Sequence, residues 1–405
     1  MKLPMTVEAA VISLCFSLLA NGEATAATFT FTKIADTSSF FSGLSAEPSI
    51  NDRGTVAFIG FIGIPTTGTS NLLTGVFTSD GVTTTTIAND KGSFLGFGEP
   101  SINNKGVVAF LASLDSGLNG VFTGDGTTIT TIFDSSGSFS GSIGTTPIND
   151  QGTVAFAGDL DTGGTGVFTG DGITTTTLFD SSDTFNRFIE MPSINDKGTV
   201  AFAAQLNPQS RGIFTSDGTT ISTIFDASDL YSVGRLGLPS INNWGTVAFG
   251  AELAVGQGLL TSLLTSDGTT TTTVADTSGS FKFFLDPSIN DRGTVAFVAE
   301  LDSGKRGIFT GSDPVRDQVI ATGDLLFGSV VEGLHFSRTG LNNSGQIAFS
   351  AILADGSQGI YVATPVPELS PVPTPVPEPT STLGILSLGT LGIGSRLLRK
   401  QKKQL

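Results

Sequence analysis

The chain has 405 residues and a formal net charge of −16, with 39% hydrophobic and only 14% charged residues. Its abundant Gly and Thr, and its preference for Phe over Tyr and Trp, point to an all-β protein of short strands and tight turns. Without the two terminal segments described below, 14 basic and 34 acidic residues remain, a balance of −20. That surface excludes nucleic acid and anionic membrane faces as partners. The single cysteine, Cys15, lies in the N-terminal apolar run, so the rest of the chain has no disulfide, thiolate metal site or cysteine nucleophile.

Lys2 precedes an apolar stretch, residues 7–20, interrupted only by Glu8, and Ala24-Thr25-Ala26 supplies a small-x-small cleavage pattern. Residues 1–26 therefore read as a secretory signal peptide that directs export through the Sec route. The next segment, residues 28–35 (TFTFTKIA), alternates as a strand with no partner nearby in sequence.

Seven copies of Asn-x-x-Gly-x-(Val/Ile)-Ala-Phe follow. Their asparagines are Asn51, Asn103, Asn149, Asn195, Asn242, Asn290 and Asn342, spaced by 52, 46, 46, 47, 48 and 52 residues. Each unit reads as four strands. The first ends in Ser-Ile-Asn, and an Asn-x-x-Gly turn leads to an apolar second strand (residues 55–58 in the first unit). The third is Gly-(Val/Ile)-Phe-Thr, and a Ser/Gly-Asp-Gly turn makes a hairpin to a Thr-rich fourth. A second strand apolar on both faces must be covered on both, which neighbouring units would do. Four strands in about 45 residues is the length of a propeller blade. The seventh unit stops after its third strand, residues 359–362, while the N-terminus offers one spare strand of the fourth type. Together they predict a seven-bladed β-propeller over residues 27–364, closed by the N-terminal strand, because closure removes two exposed sheet edges. An open β-solenoid of the same repeats is the alternative.

Residues 365–380 form a proline-rich linker (PVPELSPVPTPVPEP), which favours an extended spacer and cannot join a sheet. Residues 381–405 hold a short apolar run with interspersed Gly, then Arg396, Arg399, Lys400, Lys402 and Lys403. The apolar run is shorter than the roughly 20 residues of a stable membrane span, which suits a transient, processed anchor with its basic end on the cytoplasmic side.

The order Pro377-Glu378-Pro379, apolar run, Arg/Lys tail (Arg396, Arg399, Lys400) resembles the PEP-CTERM sorting signal. The resemblance implies recognition by an exosortase, cleavage near the Pro-Glu-Pro site, and delivery to the cell surface or extracellular matrix. The repeats resemble the NxxGxVAF tandem-repeat family of bacterial surface proteins, a likeness that implies architecture more than activity. PEP-CTERM systems accompany exopolysaccharide production, so the resemblance implies exopolysaccharide as the partner class.

Catalytic machinery is sparse. His335 is the only histidine, which rules out a histidine pair for zinc, and no Gly-x-Ser-x-Gly elbow accompanies it. The expectation is no enzyme and no cofactor. One constellation stands out. Glu47, Glu99 and Asp286 immediately precede prolines at the start of first strands, and Glu190 stands one place earlier in its unit, before Met191-Pro192. If the first strands are innermost, these carboxylates gather at one mouth of the channel, with Arg338 at the equivalent place in the seventh unit. Such oxygens suit Ca²⁺ or sugar hydroxyls. Trp244 holds a turn position that is otherwise polar, where an exposed indole suits stacking on a sugar or partner. The expected function is a non-enzymatic, sorted surface module that binds exopolysaccharide or another surface partner. A purely structural or adhesive protein is the first alternative, and a polysaccharide-active hydrolase or lyase the second.

Overall fold

In the computed structural model, residues 28–367 are described except 39, 46, 64–72, 181–186, 208–209, 228–235, 256–257 and 286. The signal peptide and the sorting tail lie outside the described residues. Among those residues, no helix is long and apolar enough to cross a membrane.

The strands make seven antiparallel sheets, one per repeat. In the first, Val56–Ile62 pairs with Leu73–Ser79, which pairs with Thr84–Asn89 at the outside. The seventh is completed as expected. Phe29–Asp36 lies antiparallel to Gln358–Pro365, with Phe29 opposite Pro365 and Ala35 opposite Ile360, and so supplies the fourth strand that this repeat lacks. The fold is a seven-bladed propeller closed by its N-terminal strand.

Second strands are apolar on both faces because both faces are covered. Val56, Ala57 and Phe58 are all buried, as are their counterparts in every blade. Seven apolar clusters result, one between each pair of neighbouring blades. The cluster of Ile34, Ala35, Val56, Phe58, Ile360 and Val362 joins the last blade to the first, so the ring closes through core packing as well as strand pairing. Within most blades a second-strand Phe stacks on a third-strand ring, as in Phe58–Phe77 (6.1 Å between centroids) and Phe349–Tyr361 (5.7 Å). In the first three blades the Thr-rich outer strands expose their first three residues and bury the next two.

The innermost strands are not continuous. In the first blade Gly43–Leu44 and Ser49–Ile50 both pair with Val56–Ile62 but are separate segments. The second and sixth blades break at the same point, between Phe97 and Ser101 and between Phe284 and Ser288. In the fourth blade a register shift between Ile189 and Ser193 takes its place, with Met191 at φ +65°. Proline stands at this point in five blades (Pro48, Pro100, Pro192, Pro239 and Pro287) and cannot donate to the ladder. The interruption leaves the side chains just before it at the channel wall.

Candidate functional site: the two mouths of the channel

One end of the channel is built from the Asn-x-x-Gly turns. Each asparagine uses its side chain twice. Asn51 Oδ1 accepts from the N–H groups of Arg53 and Thr55 in its own turn, while Nδ2 donates to the carbonyl of Asn103 in the next blade. Asn103 donates to Asn149, and the series runs through Asn195, Asn242, Asn290 and Asn342 back to Asn51, each bond 2.9–3.1 Å long. A second cycle surrounds the first. The N–H of Asp52 donates to Asn104 Oδ1, and successive links pass through Asp150, Asp196, Asn243, Asp291 and Asn343 back to Asp52. The asparagines of this outer ring also bridge flanking carboxylates. Asn104 Nδ2, for example, lies 2.9 Å from both Asp52 Oδ2 and Asp150 Oδ2. The motif glycine has φ between +79° and +93° in all seven turns, a conformation that a Cβ would strain.

The other mouth carries more varied chemistry. Four residues before each motif asparagine stand, in blade order, Glu47, Glu99, Thr145, Met191, Leu238, Asp286 and Arg338. All but Asp286, which is outside the described residues, line a cavity of about 220 Å³. The side chain of Glu190 is likewise undescribed. Of the four expected carboxylates, Glu47 and Glu99 are thus brought together on adjacent blades, where their carboxyls interact. Burial, and then the hydrogen bond and charge of Glu99, raise the Glu47 carboxyl far above the usual carboxylate range, against the opposing pull of Arg338 and His335. His335 is half-buried beside them. Burial and the nearby Arg306 charge lower its proton affinity, while Glu47 partly restores it.

Arg338 belongs to the blade beside that of Glu47 but reaches across the mouth. Its Nη1 donates to the carbonyls of Met191 (3.0 Å) and Pro239 (2.8 Å), and its Nη2 to Thr145 Oγ1 (2.7 Å). One guanidinium thus ties the third, fourth and fifth blades to the seventh. Thr146, one residue on, is 1% exposed, and its Oγ1 has no hydrogen-bond partner. A buried hydroxyl left unpaired costs about 1–3 kcal/mol. Neither threonine is flagged by residue type. The available signal was positional, because Thr145 aligns with Glu47 and Thr146 takes a place that is proline in five other blades.

Trp244 is 75% exposed, as its polar counterparts suggested. Its Nε1 donates to the carbonyl of Asp291 in the next blade (2.8 Å), and Lys197 Nζ lies 5.8 Å from the ring centroid. Gln151 makes the same inter-blade bond two blades earlier, Nε2 to the carbonyl of Asp196 at 2.8 Å. The indole is therefore a brace between blades with one face occupied by a cation.

Among the described residues, no group of three or more His, Cys, Asp or Glu gathers as a metal site.

Several solved structures share the architecture. An oligogalacturonate lyase in complex with manganese superposes with a TM-score of 0.51 at 12% identity, covering 84% of this chain and 99% of its own. A Pyrococcus horikoshii acylaminoacyl peptidase gives 0.50 at 11% identity, and a prolyl endopeptidase 0.51 at 10%. This chain spans about half the length of those two peptidases, 52% and 51%. At such identities the likeness is one of fold. No curated protein sequence matches the chain. Residues 375–400 match the PEP-CTERM protein-sorting motif, the substrate signal of an exosortase, which marks an exported protein sorted to the cell surface. A single family model matches residues 19–179 and again 174–382, and the chain accordingly belongs to that family of unknown function (DUF7453).

Proposed function

We propose that this protein is a non-enzymatic binding module of the cell surface or extracellular matrix, and that exopolysaccharide is its partner. It is exported by the Sec route behind a signal peptide at residues 1–26 and released from a C-terminal anchor near Pro377-Glu378-Pro379. The observation that carries the reading is a polar cavity at one mouth of the propeller, walled by a carboxyl pair and threonine hydroxyls, in a chain addressed to the cell exterior. The likeness of its seven Asn-x-x-Gly turns to NxxGxVAF surface proteins supports the same view.

Carboxyl separation favours binding over hydrolysis. Glycosidases hold their two carboxyl groups about 5–5.5 Å apart for retention and about 6.5–9.5 Å apart for inversion. Glu47 and Glu99 stand side by side on adjacent blades and interact directly, rather than facing each other across the mouth as a pair flanking a scissile bond would. Calcium is the weaker candidate ligand, since it would have to displace the Glu47 proton within the field of Arg338.

A glycan array probed with the full chain tests the proposal. Saturable binding to one group of polysaccharides is the expected result. A blank array from folded protein would replace the binding module with a purely structural or adhesive role.

A further inference from the structure

Resting on the binding-module reading, we propose that the mouth cavity takes a neutral, hydroxyl-rich ligand, a single sugar ring or polyol, anchored by the neighbouring Glu47 and Glu99 carboxyls and by Thr146. Size is the first constraint. At about 220 Å³ the cavity lies below the roughly 300–1,000 Å³ of sites for larger ligands, so it suits one ring or chain end.

The second constraint is the unpaired hydroxyl. Thr146 lines the cavity, and its Oγ1 is buried with no partner, so that a side-chain rotation would present it to a ligand, in a protein that pairs nearly every other buried side chain among its described residues. The equivalent hydroxyl in the seventh blade, Thr339 Oγ1, meets Ser337 Oγ at 3.2 Å. A ligand hydroxyl can both donate and accept, as the Thr146 position requires.

Charge decides the class. Burial, with Glu99 alongside, pushes the Glu47 carboxyl up to about 8, so it keeps its proton at neutral pH. Glu47 is then neutral, and the Arg338 guanidinium lies within its field at the mouth. A bare cation would have to expel the Glu47 proton and sit near Arg338. An anion would face the carboxyls. A neutral polyol meets neither penalty: its hydroxyls donate to the free lone pairs of the pair, and its C–H faces lie against Met191, Leu238 and Phe336. Among the described residues, the charged or titratable groups facing Glu47 are Glu99 from the second blade and Arg338 and His335 from the seventh, with the proton affinity of His335 lowered by burial and Arg306.

Loss of the Glu47 proton would set two charges side by side and disrupt the ligand's network, so affinity should fall as pH rises through neutrality. The full chain is titrated at pH 6.5 and pH 9 with methyl glucoside, methyl galactoside, methyl mannoside and myo-inositol. Glucosamine, glucuronate and CaCl₂ serve as charged comparators at matched ionic strength. At least one neutral probe should bind saturably at pH 6.5 and weaken about fivefold or more at pH 9. Glu47→Gln, which holds the donor form at every pH, should abolish that pH dependence. Thr146→Val should weaken binding about fivefold while leaving the melting temperature unchanged or higher, because the hydroxyl it removes has no partner in the free protein.

Binding by glucosamine or CaCl₂ with none by neutral probes overturns the inference in favour of a cation site. Neutral binding indifferent to both substitutions places the ligand elsewhere on the propeller, overturning the cavity assignment while the binding-module reading stands. A positive polysaccharide array with no small probe bound does the same. A blank array together with no bound probe overturns both.

Discussion

Asn195 does two things that no other small side chain does at once. Its Oδ1 accepts from the N–H groups of Lys197 and Thr199, fixing the turn, and its Nδ2 donates to the carbonyl of Asn242, fixing the next blade. Aspartate could accept but not donate, and serine could not reach. Asn195→Ala should therefore cost about 1–3 kcal/mol for the buried groups it orphans, read as a lower denaturation midpoint at unchanged m-value. Asn195→Asp should be no better, since it keeps the turn but buries a charge against a carbonyl. Equal stability of Asn195→Asp and wild type would mean the inter-blade bond contributes nothing. The turn role of this asparagine is legible in the Asn-x-x-Gly spacing. The bridge is not, because it joins residues 47 positions apart. The hint was that Asp or Asn always follows the motif asparagine.

Glu47 offers a second test at the same scale. Its carboxyl is pushed up to about 8, chiefly by burial. A carboxyl whose folded pKa lies above its unfolded one holds a proton that the unfolded chain has released, so stability falls as pH climbs from the ordinary carboxylate value to the folded one. His335, shifted down, works the other way, but only near and below its ordinary value of 6.5. Between about pH 7 and pH 8 the Glu47 contribution therefore stands clear of His335, and the melting temperature should decline and then level off. Glu47→Gln should flatten that decline. Parallel wild-type and variant curves would show that the Glu47 carboxyl is not raised in the folded protein.

At the scale of strands, closure is the feature a reader of the sequence can reach by counting. A seventh unit short of its fourth strand and a spare strand at the N-terminus leave one arrangement without raw edges. Removing residues 28–36 should expose the hydrogen-bonding edge of Gln358–Pro365 and strip Ile34 and Ala35 from the cluster joining the last blade to the first. The expected outcome is aggregation or a broad, multi-step melt, followed by calorimetry and light scattering. A truncated protein melting like the intact one would show that the ring does not depend on the strand. The interruption of the inner strands was harder to foresee. Proline before Ser-Ile-Asn marks where pairing fails, but the continuation of the strand on the far side, as in Gly43–Leu44, depends on packing against Phe61 and its neighbours rather than on local pattern. That interruption turns Glu47 and Glu99 into cavity residues, so their positions were legible and their direct contact with each other was not.

Over the whole molecule, the crossing of the mouth by Arg338 lies beyond local pattern altogether, because residue 338 meets residues 145, 191 and 239 only once seven blades have closed. The address has the opposite character. It resides in a short linear segment that acts before and apart from the propeller. The sorting match over residues 375–400 contains the Pro-Glu-Pro site, the apolar run and the first basic residues. In a host with an exosortase, changing Pro377, Glu378 and Pro379 to alanine should leave the protein in the membrane fraction with its tail attached. The apolar run and the Arg396, Arg399 and Lys400 cluster would still hold the chain in the bilayer after the processing site is gone. Neutralising Arg396, Arg399 and Lys400 instead should weaken retention on the cytoplasmic side, since the charges that resist translocation are lost. Intact-mass spectrometry of surface material decides between the possibilities: the wild-type chain should end near the Pro-Glu-Pro site. A mature surface form that still ends at Leu405 would show that the tail is a lasting anchor and that no cleavage follows recognition.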